Sequence, residues 1–368
     1  MHNPRVAVSI GRLLASCLIV CFLTGLYSHY LQEPASWMSF PTRPVWLYRV
    51  NQGAHVATGI AAIPLLLAKL WVVYPRLFEL PPLRSAIHGL ERASIAVFVG
   101  ASLLQLFMGL LNTLQWYPWP FPFRETHFFL AWIIIGSLLI HIAVKLPLIR
   151  QHWRRARDGA PAVIDTAVPA RGWSRRGFFT AVGLTVATVT VTTVGQSFSP
   201  LQKLNLFAPR TPSKGPQGLA VNRTASEAGV LSSARSPDWR LQIKGPRAVT
   251  LTLSELRQMP QFHARLPISC VEGWSQNADW SGVRVRDLLD RVGARAGSGL
   301  RVISLEPSGP FAQTEMGPEF ATDELTLLAL RLNGEVLDIE HGYPARIIAP
   351  GRPGVLQTKW VRTLEVLA

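Results

Sequence analysis

The sequence predicts a multi-domain protein: an all-α transmembrane helical bundle, of four helices plus a fifth anchor helix, followed by a mixed α+β domain. Three observations predict this. The chain has 368 residues, of which 48% are hydrophobic and only 16% charged. Long apolar segments fill its first half, and short apolar runs separated by turn residues fill its last third. Segments of the first kind are typical of membrane helices and runs of the second kind are typical of strands.

The apolar segments come first along the chain. Each of the first four is long enough to cross a hydrocarbon core about 30 Å thick, which takes about 20 helical residues. A fifth, shorter segment is rich in threonine, which predicts a weaker anchor. The five segments are roughly Val6–Tyr27, Gly53–Val73, Ile87–Leu111, Phe128–Leu148 and Phe178–Val194.

Arginines and aromatic residues predict the orientation. The net charge is +15, but many arginines adjoin apolar runs, so the charge favours membrane topology and argues against binding of nucleic acid. Basic loops follow the second and fourth segments, whereas the loops at 28–50 and 113–126 hold aromatic residues. Since basic loops stay in the cytoplasm, everything after about residue 197 is predicted to lie outside a bacterial cytoplasmic membrane, with lipid around the helices.

After the fifth segment, residues 199–237 are rich in Pro, Ser, Gly and Ala and predict a tether along the next domain. Strand-like runs follow from Trp239 onward, with short helices at Ser254–Met259 and Arg284–Val292. The predicted strands are LQIKG, VTLTL, RLPISCVEG, GLRVISLE, ARIIAPG and TLEVL. The predicted division is 1–150 for the four-helix bundle, 151–176 for a basic cytoplasmic loop, 177–198 for the fifth helix, 199–237 for the extracytoplasmic linker and 238–368 for the soluble domain.

Histidines are the notable polar residues of the bundle, because a histidine in a bilayer needs a partner. His127 and His141 are fourteen residues apart, so they project from one helix face about 21 Å apart along its axis. His55 opens the second segment on the outer side, and His88 opens the third on the inner side. These depths predict two b-type haems, ligated by His55 with His127 outside and by His88 with His141 inside.

Two alternatives to that ligand set stay open. His29, at the outer end of the first segment, is a rival outer ligand or a quinone-site group. The histidines could also be scattered interfacial residues. Residues 6–150 resemble the dihaem b-type cytochrome subunits of formate dehydrogenases and hydrogenases, in which one helix carries two histidines at this spacing. Here the inner partner, His88, comes from the third helix.

The stretch PISCVEGWSQNADWSGVRVRDLL carries the chemistry of the soluble domain. Three cysteines are too few for a disulfide framework, and Cys270 is the one outside the apolar segments. A single thiolate can hold a metal or act as a nucleophile. No zinc motif lies nearby, and no spacing suggests a base for a thiol hydrolase.

This stretch and the run HGYPARIIAPGRPGVLQTKWVRTLEV resemble the sulfite oxidase superfamily over about residues 238–368. The resemblance implies a Mo-molybdopterin cofactor, with Cys270 as the molybdenum ligand and catalytic residue. It also implies that the pterin and its phosphate are held by other residues of the two motifs, whose cations and donors suit an anion. The predicted cofactor-binding residues are Glu272, Trp274, His341, Arg346, Lys359 and Trp360.

The cysteine motif departs from that of sulfite-oxidising members, which have Ala-Gly-Asn after the cysteine. Val271–Ser275 is closer to the periplasmic sulfoxide-reductase branch. The segment LEPSGPFAQTEM, expected near the metal, holds no arginine cluster. The resemblance therefore favours a small sulfur or nitrogen oxo compound over an anion such as sulfite.

Together the two parts predict a membrane-anchored molybdenum oxidoreductase that exchanges two electrons with an extracytoplasmic substrate, by oxygen-atom transfer. Two b haems would pass the electrons to or from quinone or quinol. The alternative is a non-catalytic electron-transfer or redox-sensing cytochrome b whose soluble domain docks a partner.

An arginine pair, Arg175 and Arg176, precedes Phe178 and Phe179 in the middle of the chain. This pattern resembles a twin-arginine export signal. Twin-arginine machinery carries folded cargo, which suits a domain that must fold around a cytoplasmic cofactor before export. No A-x-A cleavage site follows, so the signal is predicted to stay as an anchor. The pair could also be an ordinary positive flank of the fifth helix.

Overall fold

The computed structural model describes residues 4–77, 85–157, 174–208 and 210–367. The predicted basic cytoplasmic loop, 151–176, lies mostly outside these described residues. The chain divides into two compact units. The first consists of Met1–Gly25 and Ala54–Val194, and the second consists of Leu26–Gly53 and Gly195–Ala368.

Long helices make up the first unit. Within the described residues, five helices are long and apolar enough to cross a membrane, as a membrane protein requires. Only 17–33% of the apolar windows of these helices is buried inside the protein, so most of their apolar surface faces outward. The helices are α1 (Pro4–Gln32), α2 (Leu47–Leu77), α3 (Ala86–Thr113), α4 (Phe123–Arg157) and α5 (Arg175–Val194).

An apolar stripe on α1 holds the bundle together. Its residues recur every four positions, which places them on one helix face, and they pack with residues of α2, α4 and α5. The stripe consists of Val6, Ile10, Leu14 and Leu18. The packed partners include Leu65 and Leu66 of α2, Ile134 of α4 and Phe178 of α5.

Two sheets and four short helices make up most of the second unit, which confirms the mixed α+β class predicted for its carboxy-terminal part. The strands are β1 (Arg240–Lys244), β2 (Val249–Thr252), β3 (Phe262–Ser269), β4 (Ser275–Arg284), β5 (Gly299–Ser304), β6 (Gln313–Met316), β7 (Leu327–Leu332), β8 (Glu335–Val336), β9 (Arg346–Ile348) and β10 (Val361–Leu367). The helices are α6 (Leu231–Arg235), α7 (Leu253–Gln258), α8 (Val285–Arg291) and α9 (Pro318–Ala321).

The first sheet has the strand order β2-β1-β10-β5-β6, and the second has β3-β4-β7-β8, with β9 paired to β7. Strand β7 contributes to two cores because its successive side chains point to opposite faces. Leu328 and Leu330 join the core shared with the first sheet. Leu327 and Ala329 join a second core, which also contains Cys270.

The end of α1, the start of α2 and the segment between them belong to the second unit. Leu31 and Tyr48 are buried in the same core as strand residues of the first sheet. Arg43 forms an ion pair with Asp323, 2.8 Å between Nη1 and Oδ2. The residues predicted as a linker also pack here, since Leu219 and several alanines of this stretch are buried.

Candidate active site

The candidate site is built around the turn between β3 and β4. These strands pair antiparallel with Ser269 opposite Ser275, and residues 270–274 close the turn. The Cys270 amide donates to the Trp274 carbonyl at 2.8 Å, and the Gly273 amide donates to the Cys270 carbonyl at 3.0 Å. Gly273 has φ +98°, a conformation that favours glycine. We call residues 270–274 the cysteine loop.

Polar side chains surround the Cys270 sulfur. Asn222 Nδ2 lies 2.8 Å from Sγ and 3.1 Å from Glu272 Oε1. The Trp274 indole N–H donates to Asn222 Oδ1 at 3.1 Å and to Glu272 Oε2 at 3.2 Å. Arg210 Nε lies 3.9 Å from Glu272 Oε2. The structure thus brings the predicted residues Cys270, Glu272 and Trp274 together, and adds Asn222 and Arg210.

This environment determines the protonation of Cys270. Burial and the nearby Glu272 carboxylate raise the pKa of the thiol well above its usual value, and the hydrogen bond from Asn222 opposes this rise only in part. The thiol therefore keeps its proton in the protein alone. A metal cation reverses this preference, because a coordinating thiol gives up its proton. The site suits a metal-bound thiolate better than a free nucleophile.

Residues far from the cysteine in sequence satisfy the carbonyl groups of the cysteine loop. The three successive carbonyls of residues 271–273 each accept a hydrogen bond from a side chain at the end of a membrane helix or just beyond one. Gln52 Nε2 donates to the first at 2.6 Å, Gln196 Nε2 donates to the second at 3.5 Å, and the Ser197 hydroxyl donates to the third. The cysteine loop is therefore held by α2 and by the residues that follow α5.

Three basic side chains, those of His341, Arg346 and Lys359, are brought together at a turn. Arg346 Nη1 donates to the His341 carbonyl at 3.0 Å, and Lys359 Nζ donates to the Glu340 carbonyl at 2.8 Å. A Cβ on Gly342, whose φ is +110°, would lie 3.0 Å from the Cβ of Arg346 and 3.1 Å from that of Lys359. Only glycine permits this close approach. We call the three side chains the basic cluster.

Burial of the basic cluster disfavours its positive charges. It lowers the pKa of Lys359 to about 7, with a further contribution from Arg346. It also lowers the pKa of Arg346 to about 9 and that of His341 to about 4.

One hydrogen-bond donor of the basic cluster is unused among the described residues. The hydrogen-bond acceptors of Arg346 and Lys359 are backbone carbonyls, and Arg346 Nε is buried without a partner among the described residues. A bound anion would compensate these charges and use the remaining donor. The donor set therefore fits the phosphate of a pterin cofactor.

Trp360 lies beside this cluster. Its side chain is buried, its φ is +52°, and its indole N–H donates to the Ile339 carbonyl at 2.7 Å. Lys359 Nζ lies 4.5 Å from the centre of the Trp360 ring. Trp360 therefore positions the lysine next to it.

The structure also brings arginines to the segment LEPSGPFAQTEM. Arg223 forms an ion pair with Glu306, and Arg352 Nη2 donates to the Glu315 carbonyl at 2.5 Å. Both arginines lie outside the segment in sequence, so the segment alone could not reveal them. Its lack of arginines is consequently no argument against an anionic substrate. Asn222 was missed for a similar reason, since it belongs to the predicted linker.

In the first unit, the structure brings His55 and His127 together. Their ring centroids are 6.3 Å apart. His55 Nδ1 lies 3.0 Å from the Cys21 carbonyl, which leaves Nε2 for another partner, and His127 Nδ1 is buried with no hydrogen-bond partner among the described residues. Two imidazoles that each lie about 2 Å from one metal ion have a comparable separation. The pair therefore fits one shared metal centre.

The predicted inner pair has a different arrangement. The His141 ring stacks on Phe98, with centroids 6.5 Å apart and an interplanar angle of 2°. Phe98 lies ten residues beyond His88 on α3, which is about 15 Å along the helix axis. His141 is thus level with Phe98 rather than with His88. His29 belongs to the second unit, where its ring lies 5.6 Å from that of Tyr30.

Comparisons with known proteins cover the carboxy-terminal part of the second unit. Residues 228–368 match the family model of the oxidoreductase molybdopterin binding domain. The uncharacterized oxidoreductase YuiH of Bacillus subtilis is 29% identical, over 34% of this chain and 64% of that protein. The sulfite oxidase of Arabidopsis thaliana is 26% identical, over 34% of this chain and 40% of that enzyme.

Two further matches cover a similar share of the chain. The putative protein-methionine-sulfoxide reductase subunit YedZ1 of Azospira oryzae is 30% identical, over 31% of this chain and 43% of that protein. The crystal structure of the sulfane dehydrogenase SoxCD from Paracoccus pantotrophus matches with 29% identity and a TM-score of 0.37, over 42% of this chain and 44% of that chain. The chain thus spans less than two thirds of the length of these relatives.

The family model and the curated relatives confirm the resemblance predicted for the last third of the sequence. The carboxy-terminal part of this chain is a sulfite oxidase-like molybdopterin-binding domain, of the kind found in molybdopterin-dependent oxidoreductases.

Proposed function

We propose that the protein is a membrane-anchored molybdenum oxidoreductase that exchanges two electrons with a small extracytoplasmic substrate and passes them through b haem to or from the quinone pool. The observation that carries this proposal is the buried thiol of Cys270, held in a polar network within a molybdopterin-binding domain. A sulfur or nitrogen oxo compound is the substrate class. Removal of its oxygen consumes two electrons and two protons and releases water.

Different residues of the second unit bind different parts of the cofactor. Cys270 supplies the thiolate ligand, and the bound molybdenum supplies two-electron chemistry. The basic cluster holds the phosphate of the pterin, with Lys359 steadied by Trp360. Asn222 and Trp274 donate hydrogen bonds around the sulfur and the Glu272 carboxylate, and so keep both groups oriented.

Helix α2 contributes residues to both units. Gln52 donates to the Val271 carbonyl, next to Cys270. His55 follows Gln52 by three residues on the same helix, about 4.5 Å along the axis. Gln52 thus contacts the cysteine loop of the second unit, and His55 of the first unit is assigned to the proposed outer haem. His141 remains a predicted ligand of an inner haem, whereas His88, about 15 Å away along α3, is not brought beside it.

Export of the loaded domain would use the arginine pair. Arg175 and Arg176 begin α5, and their side chains are exposed, as a signal read by the twin-arginine machinery requires. This arrangement suits a multi-pass protein of the bacterial cytoplasmic membrane with an extracytoplasmic carboxy-terminal domain.

Replacement of both arginines by lysine tests this export route. The positive flank is kept, so the topology signal persists, but the twin-arginine motif is lost. We expect the carboxy-terminal domain to become protected from protease added outside spheroplasts, while Arg150→Lys has no effect. If the carboxy-terminal domain stays accessible to protease in the double variant, the arginine pair serves only to orient the fifth helix in the membrane.

Cys270→Ser tests the metal ligand. Because serine replaces the soft thiolate, we expect the molybdenum content and turnover to fall by about 100-fold or more, with haem absorption unchanged. Cys17→Ser in α1 is the matched control and should keep both. Full molybdenum content and turnover in Cys270→Ser would contradict the assignment. A wild-type protein without molybdenum would instead favour the non-catalytic docking alternative.

The buried charge of Lys359 predicts a pH dependence of stability in cofactor-free protein. Its pKa is about 7 in the folded state, against an ordinary 10.5, so the unfolded chain binds more protons between these values. Stability should therefore rise with pH, and we expect Tm to increase by about 4 °C or more from pH 7 to pH 9. Scanning calorimetry of protein from a host without the pterin cofactor measures this.

Two variants make the pH test specific. Lys359→Met should remove most of the increase, whereas Lys244→Met, at an exposed position, should keep it. Loading with cofactor should also reduce the increase, since the phosphate favours the charged ammonium. If Tm rises equally with pH in Lys359→Met and in the wild type, Lys359 is not the cause of the pH dependence.

His127→Ala tests the outer haem. With one of its two ligands gone, we expect this haem to be lost and b-type absorption to fall by about half, with molybdenum content unchanged. His263→Ala in the soluble domain is the control. Haem content is measured as the pyridine haemochrome. Unchanged absorption in His127→Ala would refute the ligand, and a wild-type protein without b-type absorption would refute the haem proposal altogether.

A further inference from the structure

Aromatic rings form a continuous series from the α3–α4 connection to His127. Phe121 stacks on Trp119 with centroids 5.5 Å apart, and Trp119 contacts Tyr117 at 6.1 Å. Tyr117 contacts Phe123 at 6.0 Å, and Phe123 lies 4.9 Å from the His127 ring. We call Tyr117, Trp119, Phe121 and Phe123 the aromatic series.

One polar atom of the series indicates a missing partner. Trp119 Nε1 is buried and has no hydrogen-bond partner among the described residues. Buried indole N–H groups normally find an acceptor, so an unsatisfied one indicates a ligand that supplies it. Close by in sequence, the Tyr117 hydroxyl donates to Asn112 Oδ1 at 3.0 Å, which leaves the Asn112 amide nitrogen as a further donor.

The position of the series suits a ligand that comes from the bilayer. It lies between the end of the span Ala86–Thr113 and the first turn of the span Phe123–Val144, hence at a membrane boundary. Phe107 of α3 contacts Trp119 at 6.5 Å, and both Phe107 and Leu110 expose apolar surface. A ligand with a flat ring that accepts hydrogen bonds and an apolar tail would match both features.

We propose that the aromatic series binds the head group of a quinone or quinol and brings it next to His127. This proposal rests on the proposed function, because it gives the outer haem its electron partner. The ring stacks on the aromatic side chains, and a quinone oxygen accepts the hydrogen bond from Trp119 Nε1. When quinol is oxidised to quinone, it releases two electrons, which pass singly to the haem, and two protons, which leave to water.

An aromatic belt at the lipid interface is the competing interpretation, because tryptophan and tyrosine are enriched there. Belt residues keep their polar ends in contact with water or head groups. Trp116, in the same connection, fits this description, since 60% of its surface is exposed. Trp119 differs because its N–H group is buried. The two tryptophans therefore provide a matched test.

Photoaffinity labelling locates the site without any turnover. The full-length protein in nanodiscs is illuminated with an azidoquinone, digested and analysed by mass spectrometry. We expect label on the peptide that contains residues 114–127, and unlabelled quinone should compete it away. Label confined to other helices would overturn the proposal. This result does not depend on haem, so it separates failure of the site from failure of the haem proposal.

Trp119→Phe tests the hydrogen bond, since phenylalanine keeps the aromatic surface and removes the N–H donor. We expect about tenfold weaker binding of a short-chain quinone and a similarly slower reduction of the haem by its quinol, with the haem spectrum and molybdenum content unchanged. Trp116→Phe should match the wild type. Equal binding and equal reduction rates in Trp119→Phe and the wild type would overturn the proposal.

Discussion

The need to satisfy three successive carbonyl groups beside Cys270 governs this structure. The turn leaves the β3–β4 ladder, so the carbonyls of residues 271–273 do not pair with a strand; Glu272 and Gly273 are buried and Val271 is half-buried. Their donors are Gln52, Gln196 and Ser197, from α2 and from the residues that follow α5. The thiol is therefore held by distant segments of the second unit, around residue 52 and residues 196–197, as well as by the sheets.

A second constraint comes from buried charge. Arg346 and Lys359 point into the protein with backbone carbonyls as hydrogen-bond acceptors, and burial lowers the pKa of each. Such an arrangement costs stability in the protein alone, and a bound phosphate offsets it. We therefore expect the bound cofactor to stabilise the folded domain. The proposed export of an already folded, loaded domain follows the same reasoning.

Local pattern predicted some elements and missed others for identifiable reasons. The membrane helices were found because an uninterrupted window of about 20 apolar residues is typical of a membrane span. Strand β4 was missed because QNADWSG is polar and contains glycine, although Ala278 and Trp280 alternate inward. Strand β7, LLALRL, is buried on both faces, and such a run cannot be distinguished from a helix by periodicity. Helix α2 begins at Leu47 rather than near Gly53, and the added turns carry Gln52.

The sequence by itself predicted the long apolar helices from composition, and its resemblance to the sulfite oxidase superfamily predicted the molybdopterin-binding domain and the candidate residues Cys270, His341, Arg346 and Lys359. Only the tertiary structure decided which distant residues meet. Asn222 reaches the cysteine sulfur from 48 residues away, and Gln52 reaches the cysteine loop from 219 residues away. The pairing of helices likewise placed His55 beside His127, and Phe98 rather than His88 beside His141. Contacts of this kind depend on how whole elements pack, and a local pattern carries no signal for them.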